Sequence, residues 1–184
     1  MKPLLNTTLL FLLLVIGFSG GVSGQDFEET KRLAEQGDAS AQMTLGLMYA
    51  SGEGVPQNDA EAVRWYRLAA ERGLAEAQNN LGTMYRNGDG VPENDAEAVR
   101  WFRLAAEQGL AFAQDSLGRK YALGNGVPQN GVRAYVWFSV AVAQGLEEAR
   151  LRRDTMADML TPDQLARGQD IATRCFESDY QDCE

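Results

Sequence analysis

The 184-residue chain contains no histidine, which removes the most frequent general base and the most frequent zinc or copper ligand. Ser51, Ser116 and Ser139 therefore have no imidazole to activate them for acyl transfer. Asp89 and Glu93 lie around one turn, a pairing that acid–base chemistry can use. Positions 36 residues earlier and later hold Glu53/Gln57 and Asn125/Gln129, so the carboxylate pair belongs to that turn alone. No regular series of oxygen-bearing residues closes on a glutamate, as a calcium loop requires. The remaining reactive groups are Cys175 and Cys183. In an exported chain such a close pair forms a disulfide more readily than a metal site, with two free thiols as the alternative. The expectation is a protein without catalytic residues, metal or cofactor.

The offset of 36 is the organising number of the chain. GVPQNDAEAVRWYRLAAERG (Gly54 to Gly73) returns as GVPENDAEAVRWFRLAAEQG (Gly90 to Gly109) and, more loosely, as GVPQNGVRAYVWFSVAVAQG from Gly126. A fixed period of this length marks stacked repeats. Within one unit, Ala77, Leu81, Met84 and Tyr85 recur at helical spacing, predicting an amphipathic helix. Gly88 to Pro92 breaks it. Asn94, three residues before Glu97, starts a second helix, and Gly109 ends it where a left-handed residue is wanted. Each unit is thus two antiparallel helices and a turn. Gly46, Gly82 and Gly118 interrupt the first helices at a cost of about 1 kcal/mol each relative to alanine, which a close helix crossing explains. Trp65, Trp101 and Trp137 fall in one register and read as a core layer, a large aromatic being a dominant source of buried area.

On these residues the chain resembles the Sel1-like repeat family, longer relatives of the tetratricopeptide repeat. The pattern LGxMYxxGxGVPQNDAEAVRWYRLAAEQG carries the resemblance, which covers about residues 27–148. It implies an all-α solenoid, a right-handed α/α superhelix whose first helices line the concave face. The expected organisation is a signal peptide over 1–24, an N-terminal half-repeat and cap over 25–40, and repeats over 41–76, 77–112 and 113–148. Capping helices and a tail follow over 149–184. The second helix of the third repeat is apolar nearly all round, at Tyr135, Val136, Val140 and Val142, so it needs an outer cover. Glu147 to Leu160 predicts one covering helix. Thr161-Pro162-Asp163-Gln164 starts another, running to about Cys175.

The frame residues hold still between copies, whereas one stripe of the first helices changes. It reads Met43, Leu47, Ala50, then Asn79, Thr83, Arg86, then Asp115, Arg119, Ala122. The spacing i, i+4, i+7 puts each trio on one helix face, and the resemblance points those faces into the concave groove. Repeat proteins vary one surface in this way to build extended binding sites, although solvent-facing positions also drift. The expected partner is a protein or an extended or helical peptide with acidic residues. The family implies an adaptor or regulatory scaffold. The alternative it offers is a β-lactam-binding or hydrolysing protein of the cysteine-rich type, whose cysteines staple each repeat; here the repeats contain none.

The formal net charge is −9, which repels nucleic acid and anionic membranes. Met1-Lys2, the apolar run Leu9 to Phe18 and the small residues Val22-Ser23-Gly24 form the pattern of a secretory signal peptide. The apolar run is short for a spanning helix, with an uncleaved anchor as the alternative. The reading is an exported monomer, periplasmic or secreted, with its mature chain starting near Gln25 and no stable membrane insertion after cleavage.

Overall fold

Asn58, Asn94 and Asn130 each close a turn and open a helix, and this threefold event sets the architecture. In the computed structural model, which describes residues 24–183, each asparagine side chain accepts from the backbone N–H three residues on, at 3.1, 3.1 and 3.0 Å. Each asparagine N–H in turn donates to the carbonyl of Tyr49, Tyr85 or Tyr121 at the end of the preceding helix. One residue therefore caps the second helix and ties it to the first.

Among the described residues there are nine helices and no strand: α1 Gly24–Glu35, α2 Ala39–Ser51, α3 Asp59–Glu71, α4 Ala75–Asn87, α5 Asp95–Ala106, α6 Ala111–Leu123, α7 Gly131–Ala143, α8 Glu148–Met159 and α9 Pro162–Glu177. From α1 to α8 each helix packs on its neighbour in sequence, whereas α9 packs on α7. The result is an all-α solenoid in which α2–α3, α4–α5 and α6–α7 are the three repeated hairpins.

The glycines inside the first helices are there because aromatic rings lie against them. A Cβ on Gly46 would stand 2.6 Å from the Tyr66 ring, on Gly82 2.9 Å from Phe102, and on Gly118 2.7 Å from Phe138. Those rings and the alanines around them (Ala62 and Ala69, Ala98 and Ala105, Ala134 and Ala141) are buried. The tryptophans knit units together. Trp65 is buried in a cluster with Ala34 of α1 and with Leu45 and Met48, and Trp101 in one with Leu81 of its own unit and Val63 and Tyr66 of the preceding one. A third repeated device is polar. The buried Gln42, Gln78 and Gln114 donate to the carbonyls of Ala34, Ala70 and Ala106 at 3.1 to 3.2 Å, satisfying acceptors that a helix C-terminus leaves open.

At the far end α8 and α9 cover α7, whose Val136 and Val140 are buried and whose Tyr135 lies against Gly168 of α9. Thr161 and Gln164 form a full capping box at the start of α9. Cys175 and Cys183 are disulfide-bonded, and both are buried. The loop they close folds back on the repeats. Tyr180 bonds through its hydroxyl to Gln144 and lies against Gly109, and Gln181 donates to the Glu107 carbonyl at 3.1 Å.

Candidate functional site

The variable stripe of the first helices resolves into three rows with different surroundings. Met43, Asn79 and Asp115 form a row turned toward the next unit rather than outward. Met43 is half-buried and its sulfur accepts from Asn80 of the following first helix at 3.8 Å. Asn79 is half-buried, with its Oδ1 enclosed and unpartnered among the described residues. Asp115, expected on the open groove, is buried: α8 lies over it, and Arg152 Nε donates to its Oδ1 at 2.7 Å. A helix stacked on the third repeat needs a partner at that contact, and the carboxylate supplies it.

The second row is more open. Leu47 is 50% exposed, Thr83 half-buried with its hydroxyl turned back to the Asn79 carbonyl, and Arg119 exposed. In the third row Ala50 and Ala122 flank Arg86, whose Nε donates to Asn87 at 3.0 Å. The fold brings two members of the stripe together. Arg86 from α4 and Arg119 from α6 line one cleft of ≈ 170 Å³, with Lys120, Ser116, Glu93 and Asp95 around them. Met43, Leu47 and Asn79 do not reach it.

Lys120 is a site residue that the sequence reading passed over. It is 95% buried, since only 5% is exposed, and it ion-pairs with Asp95 at the start of α5. Its register partners are Met48 and Met84, both buried, so the third copy replaces a core methionine with a cation. That in-register change was the available signal. Lys120 engages Asp95, and among the described residues neither Arg86 nor Arg119 pairs with that carboxylate. Among the described residues Arg119 makes no hydrogen bond or ion pair. The cleft thus keeps an uncommitted guanidinium, a group suited to bidentate binding of a carboxylate.

A second cleft lies on the other side of α6, between α6, α7 and α8. Ala122, Leu123, Phe138, Thr155 and Met156 line it, with Arg119 and Arg152 at its rim. Arg152 is already paired with Asp115, so the apolar lining dominates. Elsewhere the charges pair locally: Glu61 with Arg64, Glu97 with Arg100, and Glu29 with Arg32, whose hydrogen bond lowers the Glu29 carboxyl below its ordinary value. Among the described residues no three His, Cys, Asp or Glu side chains converge as metal ligands, and no helix is long and apolar enough to cross a membrane. The expected signal peptide lies outside the described residues apart from Gly24.

The Sel1 repeat profile matches residues 39–74, 75–110 and 111–146. The chain belongs to the Sel1 repeat family. Its solved neighbours agree. The crystal structure of c5321, a protective antigen of uropathogenic Escherichia coli with the SLR fold, is 51% identical over 66% of this chain, with a TM-score of 0.66. This chain spans 26% of that antigen's length. A Sel1 repeat protein from Oxalobacter formigenes is 44% identical, with a TM-score of 0.65, over 71% of this chain and 98% of its own. No curated protein matches the sequence. Sel1 repeats typically mediate protein–protein interaction and are generally non-enzymatic scaffolds.

Proposed function

We propose that this Sel1 repeat protein is an exported, non-enzymatic adaptor that binds an acidic segment of a partner protein on the face built by α2, α4 and α6. The observation that carries the reading is the meeting of Arg86 and Arg119, from two different repeats, in one cleft of a chain whose net charge is −9. A local positive site on an acidic protein selects acidic partners and turns away most of the chain's own surface. Leu47, exposed two helices away on α2, extends the same face toward an apolar contact. Export rests on the sequence pattern of residues 1–24 and agrees with a buried disulfide at the C-terminus.

The test is affinity capture from cell-envelope extract on the mature protein beside an Arg86→Glu/Arg119→Glu variant of equal thermal stability. A protein retained by the first and lost from the second is the expected result. Equal retention on both would place the partner elsewhere on the solenoid. The export half is checked separately by the mass of the native protein, expected to begin near Gln25.

A further inference from the structure

Grooves between stacked helices recur along any solenoid, but the cations in this one do not. Arg86 stands where the other units have Ala50 and Ala122, Arg119 where they have Leu47 and Thr83, and Lys120 where they have Met48 and Met84. Three departures from the repeat frame, at three different register positions in two units, converge on one cleft. The neighbouring apolar cleft shares Arg119 and Leu123 with it. Leu123, 65% exposed, is the ridge between the two.

The two clefts therefore flank a single helix. Packed helices stand roughly 8–10 Å apart and an extended chain advances about 3.3 Å per residue, so a segment crossing α6 covers the distance in about three residues. We propose that the clefts form one bipartite site, recognising a partner segment that carries an acidic residue about three positions from a large apolar residue. The carboxylate takes the Arg86/Arg119 cleft. The apolar side chain takes the cleft over Phe138 and Met156. Lys120 is a positioning residue: by holding Asp95 it leaves the arginine charge available to the incoming acid.

The inference rests on the partner-binding reading of this face and adds the motif it selects. Both halves are needed for specificity: a lone carboxylate on an exposed arginine is screened by salt, whereas an apolar side chain seated beside it lowers the local dielectric and fixes register.

The experiment selects a phage-displayed random dodecapeptide library on the full mature protein, then measures synthetic consensus peptides by calorimetry. The expected consensus is Asp or Glu about three residues from Leu, Met, Phe or Ile, the separation set by the helix spacing above. Binding of that peptide weakens about tenfold or more in Arg119→Glu and, independently, in the uncharged variant Leu123→Ser. Leu123 is exposed, so the second variant keeps its fold; a circular-dichroism melt checks this. A consensus of acidic residues alone, bound equally by wild type and Leu123→Ser, would overturn the bipartite site and leave the acidic-partner reading standing. Peptides retained equally by the Arg86→Glu/Arg119→Glu protein would overturn both, as would a selection that enriches nothing.

Discussion

Tyr66 is the one member of its register to carry a hydroxyl, since Phe102 and Phe138 occupy the matching positions. Burial raises its phenol above the ordinary value, with a hydrogen bond to Asn80 acting in the opposite direction. A group whose pKa is higher folded than unfolded gives stability that is complete below the unfolded value and lost as pH climbs through the folded one. The protein is therefore expected to lose stability as pH rises above about 10. Tyr66→Phe should flatten that loss in urea midpoints measured from pH 8 to 11, leaving the share of Tyr180, which burial and Asp179 also raise. An unchanged alkaline slope would mean that Tyr66 is not its source. Gly82→Ala is a harder test of packing. Alanine gains about 1 kcal/mol of helix propensity, yet its methyl meets the Phe102 ring at 2.9 Å, and such overpacking costs about 1–3 kcal/mol. A lowered urea midpoint, recovered by adding Phe102→Leu, is the expected outcome. Residues of this kind were legible in the sequence because glycine, tryptophan and capping asparagine carry local meaning and return three times. Gln42, Gln78 and Gln114 return as often and were not read. A glutamine has no periodic apolar signal, and its acceptor lies eight residues back across a turn.

Helices and turns were legible nearly to the residue, because caps and glycines punctuate the chain, and so was the need to cover α7. The fate of single charges was not, since it depends on which element stacks on which. Asp115 looks like its groove-facing neighbours until α8 is placed over it, and Lys120 looks like a solvated charge until Asp95 is placed beside it. The Asp95–Lys120 pair makes a prediction about stability distinct from binding. Asp59, the register counterpart of Asp95, has Met84 at the matching position of the next unit and accepts from Gln57 at 3.2 Å, a donor that Asp95 lacks because Glu93 stands in its place. Lys120→Met removes one partner of the pair and leaves Asp95, 30% exposed, beside Glu93 in the same cleft, so it should lower the melting temperature. The same variant should weaken binding of acidic peptides. An unchanged melting temperature would mean that the pair adds nothing to the fold and serves only to hold Asp95. The C-terminal element behaves differently. The disulfide closes a short loop whose Tyr180 and Gln181 hold the ends of α5 and α7, so Cys183→Ser should cost about 2–3 kcal/mol, and reducing agent should lower the wild-type midpoint to match.

A solenoid has no single centre, so its stability is a sum of local stacks rather than one cooperative core. Helices α1 to α8 contact their sequence neighbours, and α9 packs on α7. The stacks are unequal. At the N-terminal end Trp65 gathers Ala34, Ala41, Leu45 and Met48. At the other end Phe102, Leu117, Tyr121, Trp137 and Phe138 share one cluster with Ile171, Tyr180 and the disulfide. Apolar area removed from water is the main source of stability, at roughly 25 cal/mol per Å², so the molecule should open from α1 and α2 first. Native-state hydrogen exchange is the measurement. Amides of α2 should show lower opening free energies than those of α6 and α7, and reduction should lower the values for α9 before those for α4. Uniform protection from α2 to α7 would mean that the three repeats behave as one block. The gradient bears on function. Both clefts flank α6 in the well-packed half, so they are preformed and lose little entropy on binding. A bound acidic–apolar peptide should then raise protection of α4, α6 and α8 and leave α1 and α2 exchanging as before. A peptide that slowed exchange at α2 instead would move the binding site to the exposed Leu47.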